Sequence, residues 1–104
     1  MITLEFKELI LRNGIRFEYK RQLAEIVRSV PPLDPEGRQK RGFTSSDMDE
    51  AEVLAEKIEA ANGSVELTAA EVMQIVEKVE RAEWPFSDKA FREFARDMRA
   101  LRDA

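Results

Sequence analysis

Residues 2–19, ITLEFKELILRNGIRFEY, decide whether this chain is all-helical or carries strands. Ile2-Thr3-Leu4-Glu5-Phe6 alternates apolar and polar, the two-residue period of a half-buried strand. Asn13-Gly14 follows, and both residues tolerate the positive φ that a type I′ hairpin turn demands. With that turn, Ile10 faces Phe17 and Arg12 faces Ile15, which gathers Ile10, Ile15, Phe17 and Tyr19 on one apolar face. The competing reading is a helix over about residues 3–12 closed by Gly14 as a left-handed cap, because Phe6, Leu9 and Ile10 also share a helical side. The coherent apolar face favours the hairpin.

Beyond residue 20 the period becomes helical. Leu23, Ile26, Val27 and Val30 recur at three and four residues, and Pro31-Pro32 ends the run. Residues 31–46, PPLDPEGRQKRGFTSS, hold three prolines and two glycines without a period, so the expectation is a mobile loop with Phe43 pinning its end. Ser46 with Asp49 approximates a capping box for the next helix, whose apolar side is Met48, Ala51, Leu54, Ala55, Ile58 and Ala61. Asn62-Gly63 closes it, and Val65-Glu66-Leu67 reads as an extended link. Thr68-Ala69-Ala70-Glu71 is a full capping box ahead of Val72, Ile75, Val76 and Val79. Trp84-Pro85 stops that helix, since proline disfavours helical geometry at the preceding residue. Ser87 then caps a last helix with Phe91, Phe94, Ala95, Met98 and Leu101 on one stripe. The expected architecture is α+β and mainly helical: residues 1–104 form a single domain, a short N-terminal β-hairpin packed on about four helices at 20–30, 47–61, 69–83 and 87–102.

Composition narrows the chemistry. The 104 residues include no histidine and no cysteine, which removes the commonest groups for proton transfer near neutral pH, thiol chemistry and transition-metal binding. The expectation is a protein that is not an enzyme and needs no cofactor or metal. No apolar run approaches the roughly 20 residues needed to span a bilayer, and the first residues lack the pattern of a signal peptide, so a cytoplasmic location with no membrane partner is expected. The net charge of −4 is unevenly spread. Residues 44–83 hold 3 Lys+Arg against 11 Asp+Glu, whereas residues 1–43 hold 9 against 6 and residues 84–104 hold 5 against 4. An acid block thus lies between two mildly basic ends. Net acidity weighs against nucleic acid as the partner, because cations must replace the counterions condensed on phosphates.

The run Ala51…Ala55, Lys57-Ile58, then Val65-Glu66-Leu67-Thr68-Ala69-Ala70-Glu71-Val72, then Ala82-Glu83-Trp84-Pro85 and an aromatic helix resembles small proteins encoded in tailed-phage and prophage genomes. Those proteins are similar in size, with a hairpin-like start and a short acidic-aliphatic link into a Leu-Thr-Ala helix. The likeness covers about half the chain and rests on capping chemistry; the basic loop and the Phe-rich last helix depart from it. It implies no particular activity and transfers no catalytic residue.

Three clusters remain. Glu52, Glu56 and Glu59 share one side of the second helix and read most simply as a solvated face, with a protein-binding acidic surface as the sharper alternative. Arg38, Lys40 and Arg41 sit between two glycines, without the spacing of a phosphate-binding loop; they are the candidate nucleic-acid contacts of a small regulator, the alternative function. Trp84 and Phe86, with Arg92, Arg96 and Arg99 along the last helix, are the candidate partner-binding residues. Aromatics usually go to the core, but Trp84 is also a favoured interface residue. The arginines have two outlets, phosphates or the acid block within the fold. The leading expectation is an interaction or assembly protein acting through its C-terminal helices, with a protein partner or a homo-oligomer.

Overall fold

The computed structural model describes residues 1–104. Its elements are β1 (Ile2–Glu5), β2 (Glu8–Ile10), β3 (Arg16–Glu18), α1 (Tyr19–Ser29), α2 (Ser45–Ala60), β4 (Ser64–Leu67), α3 (Ala69–Arg81) and α4 (Lys89–Arg102). The fold is α+β and mainly helical, and no helix is long and apolar enough to cross a membrane.

The N-terminal segment is a hairpin, but its register differs from expectation by one residue. Leu9 faces Phe17 and Ile10 faces Arg16 in the β2–β3 pair. A type I′ turn needs positive φ at both central residues, and here only Gly14 has it, at 85°. The loop is instead Arg12-Asn13-Gly14: Leu11 N–H donates to the Ile15 carbonyl at 2.9 Å, and Asn13 Oδ1 accepts from Ile15 N–H at 3.1 Å. A three-residue loop ending in a left-handed glycine therefore replaces the two-residue turn. A one-residue slip exchanges the faces of a strand. Leu9 turns inward beside buried Phe17, while Ile10 and Ile15 stay 65 % and 60 % exposed.

β1 does not join that hairpin. It pairs antiparallel with β4, the segment expected to be a mere link, with Ile2 opposite Leu67 and Leu4 opposite Val65. Alternation in both strands turns these four side chains to the core and Thr3, Glu5, Ser64 and Glu66 to solvent.

Three of the four helices begin where side chains satisfy orphaned backbone donors, and α1, which follows Glu18, has no side-chain cap. Thr68 and Glu71 form the expected reciprocal capping box of α3. α2 starts two residues earlier than expected because Thr44 and Asp47, not Ser46 and Asp49, make its box: Thr44 Oγ1 accepts from Asp47 N–H at 3.1 Å and Asp47 Oδ2 from Thr44 N–H at 3.0 Å. That start leaves Met48 exposed, while Ala51, Leu54, Ala55 and Ile58 are buried. α1 and α2 are joined through Arg28, whose guanidinium reaches Glu59 at 2.8 Å and Glu52 at 3.1 Å. Those two carboxylates thus serve the fold.

Residues 31–46 are tied back to α3. Arg81 Nη2 donates to the Pro31 carbonyl, and Glu77 Oε1 accepts from Leu33 N–H at 3.2 Å. Asp34 Oδ1 accepts from the N–H groups of Glu36 and Arg38, closing a small turn that Leu33 and Gln39 bridge. Phe43 packs on the core at the far end.

Tyr19, which opens α1, is fully enclosed, and its hydroxyl donates to Asp97 Oδ2 on α4 at 2.6 Å. Lys7 reaches the same oxygen at 3.1 Å. Burial pushes the Asp97 carboxyl up, yet the Tyr19 and Lys7 donors outweigh it and hold the group below the usual carboxylate range. Tyr19→Phe is expected to lower stability by about 1.5–3 kcal/mol, the contribution of a hydrogen bond to a charged acceptor. A depressed carboxylate contributes stability above its unfolded value that is lost as pH falls through the folded one. The gap between wild type and variant should therefore narrow below about pH 4, as denaturant titrations at several pH values would show. A gap independent of pH would contradict this role for Asp97.

Candidate functional site

The segment between α3 and α4 is built on aromatic stacking. Trp84 lies against Phe91 with ring centroids 4.5 Å apart and planes 14° from parallel, and Phe86 meets Phe91 at 5.3 Å. Asp88, rather than the expected Ser87, caps α4: its Oδ1 accepts from Ala90 N–H at 2.9 Å. Its Oδ2 accepts from Arg12 N–H in the hairpin loop at 2.7 Å. Those two backbone donors, that of Ala90 first, hold the Asp88 carboxyl below the usual range. They also fasten the hairpin loop to the start of α4.

Along this junction runs a groove of about 530 Å³ that collects all five expected partner-binding residues: Trp84, Phe86, Arg92, Arg96 and Arg99. Trp84 forms its aromatic wall while half-buried against the core, 5.9 Å from Phe17. Arg99 is committed within the fold, since Nε lies 3.1 Å from Glu80. Arg92 and Arg96 are exposed and make no ion pair, and neither does Lys89 beside them. Of the two outlets for these arginines, the acid block takes Arg99 alone.

The structure adds two residues that the sequence reading did not place here. Ile10 and Arg12 line a second hollow of about 550 Å³, shared with Lys89 and Arg92, that continues the groove around the start of α4. Arg12 also donates to the Ser87 carbonyl at 3.3 Å. Nothing local in the sequence signals this neighbour, because the Arg12–Asp88 bond spans 76 residues. Chemically, the strip offers guanidinium forks suited to paired oxygens of carboxylates, flanked by aromatic and aliphatic faces.

The loop cations behave differently. Arg38 pairs with Asp34 at 3.3 Å and Glu36 at 3.6 Å, and Lys40 reaches Asp47 at 2.9 Å. Arg41 alone of the three has no acidic partner. The fold thus neutralises two of the three expected nucleic-acid contacts and does not assemble them into a free cationic patch. No group of three or more acidic side chains is placed to hold a metal ion.

Comparison with protein-family models, curated proteins and solved structures gives no match for this chain.

Proposed function

We propose that this chain is a non-enzymatic interaction or assembly protein of the cytoplasm, phage or prophage derived, that binds an acidic protein surface through the α4 groove. The supporting observation is that Lys89, Arg92 and Arg96 stand exposed and unpaired beside Trp84 and Phe86. A fold with 21 Asp+Glu has ample acid to neutralise them, yet it forms no ion pair with any of the three, although Asp88 and Glu93 line the same groove. Aromatic anchors with arginines next to them are the composition of protein-binding hot spots. The phage origin is supported by the resemblance of the capping segments and the Trp-Pro turn to small proteins of tailed phages; a run of virion structural genes beside this one would agree with it.

Trp84 is a poor probe of binding, because its ring also serves the core and Trp84→Ala would remove packing as well as contact. Arg92→Glu with Arg96→Glu is the better test. Both residues lack partners, so the double variant should keep its melting temperature within a few degrees and lose capture of the partner that the wild type retrieves from its host. Unchanged capture by the folded double variant would refute the reading.

A further inference from the structure

A second groove lies between α2 and α3, with a volume of about 840 Å³. Its α2 wall carries Asp49, Glu50 and Val53, and its α3 wall carries Met73, Gln74 and Glu77. Val53 and Met73 are 68 % and 62 % exposed, a pair of large apolar side chains left in water at adjacent helix faces. Asp49 and Glu50 make no ion pair. The groove thus sets exposed apolar side chains beside unpaired carboxylates, with Arg102 the single cation of its lining.

We infer that this groove receives the α4 ridge of a second copy of the same chain. The inference rests on reading the α4 strip as a binding surface and names its partner. Three observations join the two surfaces. Their charges are complementary in balance: unpaired Lys89, Arg92 and Arg96 outweigh Glu93 on one, and unpaired Asp49 and Glu50 outweigh Arg102 on the other, which favours encounter. Their lengths are compatible, since α4, 14 residues and about 21 Å long at 1.5 Å per residue, exposes the side that carries Arg92 and Arg96, and the channel runs between helices of 16 and 13 residues. Finally, no residue lines both grooves, which abut where Arg99 of one pairs with Glu80 of the other, so the two surfaces are distinct although neighbouring. The apolar parts also match, with Phe86 beside the ridge and the adaptable thioether of Met73 in the channel. Because unlike surfaces meet, the contact is reciprocal within a closed dimer or runs head to tail.

Sedimentation velocity over a concentration series tests this with full-length protein. Wild type should self-associate, more weakly as salt rises from about 50 to about 500 mM, because exposed charges are screened. The base variant Arg92→Glu/Arg96→Glu and the acid variant Asp49→Lys/Glu50→Lys should each associate at least about tenfold more weakly alone. An equimolar mixture of the two should associate again, since it restores one native contact and creates one with both charges exchanged. Met73→Arg, a single exposed substitution, gives an independent acid-groove variant should the double lysine variant misfold. Monomeric wild type across the series, or a mixture that stays monomeric, would overturn the inference. If the acid variant still captures a host protein that the base variant loses, and wild type is monomeric, the partner is another acidic protein; the second-copy inference then fails while the α4 reading stands.

Discussion

Phe17→Ala should remove about 3–5 kcal/mol of stability, a large fraction of what holds a small domain folded. Phe17 is the centre of the aromatic core: its ring centroid lies 5.2 Å from Phe94, 5.4 Å from Phe91, 5.9 Å from Trp84 and 6.3 Å from Tyr19. The neighbours come from the start of α1, the Trp84 turn and α4, so the cavity cannot collapse by moving one element. Edge-on aromatic pairs add about 0.5–1.5 kcal/mol each beyond the area they bury, and the substitution loses the pairs to Tyr19, Phe91 and Phe94 together. A domain of this size has about 5–15 kcal/mol to lose. Denaturant unfolding followed by circular dichroism should show a large fall in midpoint, or no cooperative transition. A loss below about 1 kcal/mol would mean that the hairpin packs on the helices less tightly than these distances imply.

Phe17 also marks the boundary between what the sequence discloses and what it withholds. That the segment turns back at Asn13-Gly14, and that Phe17 and Tyr19 are core, follows from local alternation and turn chemistry. The register does not, because it depends on which residues take positive φ once Asn13 bonds to Ile15. The same division holds elsewhere. The Thr68–Glu71 box and the stripes of α3 and α4 are interactions over three or four residues, so they are visible in a short window. The pairing of β1 with β4 joins residues about 60 positions apart, and a three-residue extended segment does not name its partner. In the candidate site, the ridge of Arg92 and Arg96 was legible as helical spacing. Its freedom from the acid block was not, since that depends on where α2 and α3 place their carboxylates. Ile10 and Arg12 enter the site only through a bond between the hairpin loop and the α4 cap.

Lys78 illustrates a different kind of concealment, because a lysine in an acidic amphipathic helix reads as solvated. It is 1 % exposed, and its Nζ donates to the Val27 carbonyl at 2.8 Å. In a continuing α-helix that carbonyl would accept from residue 31, but residue 31 is proline and has no N–H. Lys78 supplies the missing donor from α3 and so satisfies the end of α1. No carboxylate lies within ion-pair distance of it, although its ammonium sits 5.4 Å from the Phe43 ring centroid. Burial pushes the Lys78 ammonium down from the ordinary lysine value, with Glu77 opposing the shift and Arg81 reinforcing it.

Lys78→Ala is expected to lose about 3–4 kcal/mol, from the packed aliphatic stem and from a buried carbonyl left without a donor. Lys78→Met keeps most of the stem and should lose at least about 1 kcal/mol less. The sign of the pH effect follows from the depressed value. Between the folded and unfolded values the unfolded chain binds more protons, so stability rises with pH as the buried ammonium becomes a neutral amine that still donates to Val27. Wild type should therefore gain on Lys78→Met as pH climbs through the alkaline range below about 10.4, while groups common to both proteins cancel in the comparison. Parallel stability curves for the two proteins over that range would show that the ammonium is solvated in the folded state.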